Sequence, residues 1–432
     1  MDFLSFLQRA VTPFHAVQAG EEMLHEAGFT ELDLRAPWRL QPGRSYMTHV
    51  FDSTLVAFRI GEEPRAHLHV ATAHTDFPCL RVKPSALVAT KGYGTLNIEV
   101  YGGMIRSSWL DRPLSLAGKV VLAGENPYEP EVRLIDIGRP LLTIPHLAIH
   151  MNRKVNESET LNPQKDLLPL FAMLGDGARK DAGDAFLDFL AKECQIDRER
   201  ILSYELTVYP TDAPCLLGAK QEFLSASRLD NMTSVYACLE GILHGKSADG
   251  IQCIALFDNE EVGSCTKQGA DSMALPNILM RLYSSLGYGQ DAYFADLARG
   301  FLLSLDVAHA LHPNAPEKAD LTNIPCLGGG VTIKAACSQA YAGDAEAWFF
   351  LGHCYSWGDG AVGFNEKKPY QMFLNRSDMR GGSTLGSMLS ANMPMRAMDV
   401  GAAILAMHSA RETMARADQG ALERLVTVFF SR

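Results

Sequence analysis

Five short segments bring metal-type ligands to the ends of apolar strands or the starts of helices. They are His74 and Asp76 in AHTD, Asp230 in RLDN, Glu260 and Glu261 in FDNEEVGS, Asp306 and His309 in LDVAH, and His408 in LAMHS. One such histidine or aspartate is ordinary structure, satisfied by a local hydrogen bond. The set points to chemistry. Glu260 and Glu261 follow closely on the run IQCIALF, and a carboxylate drawn into apolar surroundings needs a cation or several donors. A pair of divalent ions meets that need and divides the work, one glutamate ligating while its neighbour takes a proton from water. The plain alternative is a solvated loop carrying both acids.

Charge arithmetic favours two ions. Asp230, Glu261 and Asp306 as carboxylate ligands carry −3, two neutral imidazoles add nothing, and two divalent ions leave a net +1. Asp230 is the natural shared ligand, because it precedes the helical run NMTSVYACLE, where a carboxylate is held by capping backbone donors. Asp76, two residues after His74, is placed to accept the second ring N–H and fix the tautomer. Imidazole with carboxylate suits zinc, with manganese or cobalt as substitutes. Other candidates are weaker. Gly328 to Gly330 match no phosphate-loop spacing and read as a tight turn. Cys79 and Cys265 read as packing residues rather than nucleophiles, and His309 and His312 as structural or supporting residues.

These segments must be positioned by an α/β framework. The first ~30 residues are helical around the breaker Pro13, and apolar strands follow at Ser53 to Ile60 and at Ala66 to Ala73, the latter leading into His74. From about residue 90 to 220 the texture becomes alternating and Gly-punctuated, with one polar helix at about Asp184 to Glu193. After Gly218 the α/β texture returns, with strands at Ile251 to Asp258 and Leu302 to Asp306, and a strand and helix around His408. The organisation predicted is a discontinuous domain, residues 1–90 and 221–432, interrupted by a β-rich insert, 91–220. A chain of 432 residues with 47% hydrophobic and 21% charged residues is a folded protein, not a disordered or coiled-coil one. Its net charge of −11 repels nucleic acid and anionic membranes. Nine cysteines without a CxxC pair, no basic leader and no membrane-length apolar run point to a reducing, cytoplasmic setting.

Longer motifs carry a resemblance. AHTDFPCLRVKP, YGGMIRSSWLDRPLSLAGKV, IPHLAIHMNRKVNE, AHALHPNAPEK, GGGVTIK, RSDMRGGSTLG and LAMHSARE, with RLDN and EEVGS, closely resemble the aspartyl aminopeptidase family, in order from residue 70 to the C-terminus. The resemblance implies a phosphorylase/hydrolase-like three-layer α/β catalytic domain. It also implies an inserted β-rich dimerisation domain and a tetrahedral dodecamer built from dimers. Two Zn²⁺ per subunit are implied, with Asp230 shared, His74 and Glu261 on one ion, Asp306 and His408 on the other, and Glu260 as general base. Lys334, at the end of GVTIK, is the candidate to face an acidic substrate side chain, because the resemblance implies that it lies near the bound substrate; Arg376 and Arg380 are reserves. The Arg380-Gly381-Gly382 turn departs from the family's small or cysteine-containing one. His146 and His150 have the spacing that shares one helical face, open to a metal pair or to packing. The resemblance implies that His150 reaches a neighbouring subunit's active site and hydrogen-bonds the oxyanion.

The reading is a dinuclear zinc aminopeptidase that removes N-terminal Asp or Glu from peptides, with no nucleic-acid or membrane partner. A dinuclear carboxypeptidase or amide deacylase would share the ligand set and differ in pocket residues, and dependence on a free amine or a free carboxylate separates them. A non-catalytic assembly protein would be expected to have lost Glu260 or a ligand first.

Overall fold

The computed structural model describes residues 1–157, 160–174, 182–335, 370–378 and 385–432. They fall into two compact units: Met1–Asp76 with Pro214–Met407 and Glu412–Arg432, and Phe77–Ala213 with His408–Arg411. The first junction comes earlier than the one expected after residue 90. The strand Cys79–Thr90 pairs antiparallel with Tyr93–Tyr101 and with Ile201–Pro210, so it belongs to the insert's sheet.

In the first unit the described residues form a nine-stranded sheet. Its order is Thr30–Glu31, Ser45–Val50, Thr54–Ile60, Ile251–Phe257, Leu68–His74, Phe301–Leu305, Arg396–Gly401, Val331–Lys334, Tyr370–Phe373. The four neighbours from Ile251–Phe257 to Arg396–Gly401 are parallel. Parallel strands need long crossovers, here helical, and helices then cover both faces. That is why IQCIALF and FLLSL are mostly apolar and buried at every position, with Gln252 and Ser304 the polar exceptions. Pro13–Glu26 and Leu229–His244 lie on one face, backed by Phe3–Arg9 and Arg416–Phe429; Ala274–Ser285, Gln290–Arg299 and Leu385–Asn392 lie on the other. Phe58, Val70, Phe257, Leu279, Tyr283 and Leu389 form part of the second face's core, where each large apolar side chain contributes about 1.5–3 kcal/mol. Pro13 starts a helix rather than merely breaking one. It occupies the first turn behind Thr12, whose hydroxyl accepts from His15 N.

The parallel arrangement gathers the four C-terminal strand ends at one edge. Register decides what meets there. Phe257 pairs beside His74, and Ser304 beside Thr72, so two residues further on Asp306 stands level with His74. A five-stranded sheet of the same unit, ordered Cys215–Leu217, Phe223–Ala226, Glu412–Ala415, Ala403–Leu405, Ala308–His309, contributes Glu412.

In the second unit the described residues form a six-stranded antiparallel sheet with the helix Ala182–Cys194 on it. Phe186 meets Phe171 and Tyr204 edge-on. The helix expected to align His146 and His150 is not there. Residues 144–157 are coil and turns. His146 is held by Asp111, whose carboxylate accepts from its backbone N at 2.9 Å and contacts its Nδ1 at 2.5 Å. His150 is exposed in a turn beside the exposed Leu147, Ile149 and Met151. Among the described residues no helix is long and apolar enough to cross a membrane.

Candidate metal centre

His74 ends its strand buried, with 1% of its surface exposed. Its Nε2 lies 3.4 Å from Asp230 Oδ1 and 3.6 Å from Asp306 Oδ1, and ligand atoms of these three residues lie within 4.8 Å of one another. The ring's other nitrogen, Nδ1, is 3.0 Å from the Asp76 carbonyl and 3.3 Å from Asp76 Oδ1. A carbonyl only accepts, so Nδ1 carries the proton, and in the neutral ring Nε2 holds the lone pair a metal would take. The residues expected with His74 were Asp230 and Glu261; those whose ligand atoms gather with it here are Asp230 and Asp306, its neighbour across parallel strands.

Glu260 and Glu261 sit in a single tight turn, Glu260–Val262, flanked by Asn259 and Gly263 in the left-handed conformation. Asp76 fastens that turn. Its Oδ1 accepts from Glu260 N at 3.0 Å and its Oδ2 from Glu261 N at 3.1 Å. One buried carboxylate thus sets both the histidine's tautomer and the position of the two glutamates, a wider role than the sequence indicated. A Glu261 oxygen lies within 4.8 Å of one on Asp230.

Asp230, expected to cap its helix, has an extended backbone (φ −79°, ψ 107°) of the kind found before a helical run. What holds it is Glu412, a buried acid that the sequence reading missed, which accepts from Asp230 N at 3.0 Å. Asp306 is fitted tightly against Gly401, where a Cβ would come within 1.8 Å of the Asp306 carbonyl, so no larger residue is accommodated there. His408 belongs to the segment His408–Arg411 of the second unit. Its Nδ1 donates to the Gly103 carbonyl at 3.0 Å, which leaves the ring's lone pair on Nε2.

Lys334 ends its strand as expected, but its charge is engaged. Nζ lies 3.1 Å from Asp306 Oδ2 and 3.9 Å from Asp399 Oδ2. Arg376 pairs with Asp378 at 2.7 Å and bonds the Glu317 carbonyl. With His309, His312, Lys318 and Phe373 it lines a cavity of about 300 Å³. Arg380 and the glycines after it lie outside the described residues. The Gly328–Gly330 segment is a turn, with φ of 79° and 85° at its ends and both amides donating to Asp418. Cys79 is buried packing, and the carboxylate of Asp271 bonded to the Cys265 sulfur pushes that thiol up, away from nucleophilic use.

The electrostatics fit a cation. Burial would lower His74, but hydrogen bonds to Asp230, Asp306 and Asp76 hold its imidazole well above the usual histidine range. Burial, offset by His74 and reinforced by Asp306, Asp76 and Asp230, pushes Glu260 up to about 8. So much buried negative charge calls for positive charge, and nitrogen with carboxylate oxygen is a zinc donor set. Metal-stripped protein should therefore lose stability as pH rises. His74 stabilises fully below its unfolded pKa and progressively less as pH passes its raised folded value. Glu260 likewise binds more proton folded than unfolded up to about pH 8. Thermal melts of chelated protein between pH 6 and 9 should show a falling Tm, with a flatter profile after zinc is restored. A rising Tm in the chelated protein would contradict this assignment.

A family described as aminopeptidase I zinc metalloprotease (M18) matches residues 6–430. A probable M18 family aminopeptidase 2 of Clostridium novyi (strain NT) is 41% identical over 414 residues, 95% of this chain and 93% of its own length. The chain is similar to the solved structure of the Ape4 and Nbr1 complex, with TM-score 0.92 and 32% identity, covering 99% of this chain and 84% of that one. It shares its fold with the mApe1 dodecamer of Saccharomyces cerevisiae, with TM-score 0.84 and 24% identity, covering 99% and 95%.

Proposed function

The chain belongs to the M18 family of zinc metalloproteases and is a metallo-aminopeptidase; from that premise we propose that it removes N-terminal Asp or Glu from peptides, using two zinc ions and Glu260 as general base. The observation that carries the reading is the pairing of the buried His74–Asp230–Asp306 group with a glutamate whose pKa is pushed up to about 8 beside it. His74 and Asp306 are the proposed ligands of one ion, Glu261 and His408 of the other, with Asp230 shared. The chemistry a zinc pair supplies when bound is polarisation of the scissile carbonyl and acidification of water. Glu260 accepts the proton of the attacking water and returns it to the departing amine nitrogen, so the peptide C–N bond breaks as the new C–O bond forms. Asp76 keeps that base in place through the two backbone hydrogen bonds to its turn.

Acid preference is assigned to cations near the centre. Lys334 is the first candidate, with its ammonium shared among Asp306, Asp399 and the substrate's carboxylate, and Arg376 and Lys318 line a cavity of the same unit. Assembly into a homo-oligomer, a tetrahedral dodecamer built from dimers, is proposed on the exposed apolar Leu147, Ile149 and Met151. His150, on the same segment, would serve the active site of a neighbouring subunit.

A panel of aminoacyl chromogenic amides tests the reading. Asp and Glu amides with a free α-amine should be cleaved fastest, with activity lost to chelator and restored by Zn²⁺, Mn²⁺ or Co²⁺. Equal cleavage of N-acetylated substrates would make it a deacylase or endopeptidase. Release of C-terminal residues would make it a carboxypeptidase.

A further inference from the structure

The buried acid Asp399 lies in the middle of Arg396–Gly401 and is used by no step above. It is 3% exposed, in a strand otherwise free of charge except at its exposed first residue. Antiparallel register places it directly opposite Lys334, and parallel register places it beside Ser304, two residues before Asp306. Residues paired in this way project to the same face of a sheet. Lys334 Nζ sits between two carboxylates, 3.1 Å from Asp306 Oδ2 and 3.9 Å from Asp399 Oδ2. The two oxygens of Asp306 are thereby divided, since Oδ1 is the one that faces His74.

We propose that Asp399 is a positioning residue for the metal centre: it anchors the Lys334 ammonium so that the ammonium binds Asp306 Oδ2 and leaves Asp306 Oδ1 turned toward His74. The inference rests on the metal assignment above and adds a residue to it. Once Asp306 shares its charge with a divalent ion, a lysine paired with Asp306 alone would be a buried cation beside further positive charge. Asp399 supplies the compensating charge from the side away from His74's ligand group. Asp399 and Lys334 then act as one unit, in the way that carboxylates behind metal-bound side chains orient them.

Zinc affinity, measured by competition with a chromogenic chelator on the full-length protein, tests the unit. Asp399→Asn should raise the zinc Kd about 10- to 100-fold, as should Lys334→Met, the usual scale for supporting partners of metal ligands. The double variant should be no worse than the poorer single one, because both act through the same contact. Asp399→Glu, which keeps the charge, should recover part of the affinity. A purely structural aspartate would lower Tm and leave the zinc Kd within about twofold of the parent, and that result overturns the proposal. If Asp399→Asn does not fold, Lys334→Met is compared with the double variant, where neither charge is stranded. Equal Kd supports the proposal, and a further tenfold loss overturns it. Failure of the parent to bind zinc at all would instead remove the metal assignment, and with it this inference.

Discussion

Glu260→Gln should keep both zinc ions and lower kcat by about 10²- to 10⁴-fold, the range for loss of a positioned general base. Glutamine preserves shape and can keep the turn, because Asp76 holds residue 260 through its backbone N–H and not its side chain. The effect should fall on kcat more than on KM, since proton transfer is felt in the transition state. Asp230→Ala should behave differently. It removes the carboxylate that contacts His74 Nε2 at 3.4 Å and also lies near Glu261, so elemental analysis should find both ions lost. Near-normal turnover in Glu260→Gln would end the base assignment, and two retained ions per chain in Asp230→Ala would end its role as shared ligand.

The contrast between these variants shows what a sequence can carry. The acids that the structure gathers near His74 could be singled out in the sequence because burial of charge is costly: acids after IQCIALF or inside LLSLD need a reason to be there. Which of them meet was not legible. His74 and Asp306 are separated by more than two hundred residues and become neighbours only through the strand order Leu68–His74, Phe301–Leu305, which no local pattern encodes. The same blindness concealed Glu412 and Asp399. Each is a single acid in a short strand, and its meaning appears only with its partners, Asp230 N and Lys334. Asp399 had a weak signal, a lone carboxylate between Met398 and Val400 in a strand that proved buried on both sides. At His146 and His150 the helical spacing misled, since His146 is held by Asp111 through both its backbone N and its ring, a long-range tie that no local periodicity shows. The insert boundary failed for a related reason: Cys79–Thr90 has strand texture in either unit, and only its pairing with Ile201–Pro210 assigns it.

His150→Ala is expected to keep the oligomer and both ions while lowering kcat by about 10²- to 10³-fold, the scale for removing one oxyanion donor. The case begins with exposure. Leu147 is 54% exposed, Ile149 53% and Met151 74%, an apolar cluster with His150 among them, and such clusters mark contact surfaces. His146, by contrast, is tied to Asp111 of its own unit and can serve to fix the segment from which His150 projects. An oxyanion donor must carry a proton and be held where charge develops, and a histidine presented by a segment anchored at His146 meets both needs once a second subunit covers it. The test is complementation across the interface. Glu260→Gln and His150→Ala subunits, each inactive alone, are mixed, dissociated and reassembled, and mixed oligomers are verified by mass. If the donor acts in trans, some interfaces pair an intact Glu260 with an intact His150 from the neighbour, and part of the parental activity should return. Activity that stays at the level of the separate variants would mean that His150 serves its own chain or only the packing of the interface. A His150→Ala variant with full turnover would remove it from catalysis altogether.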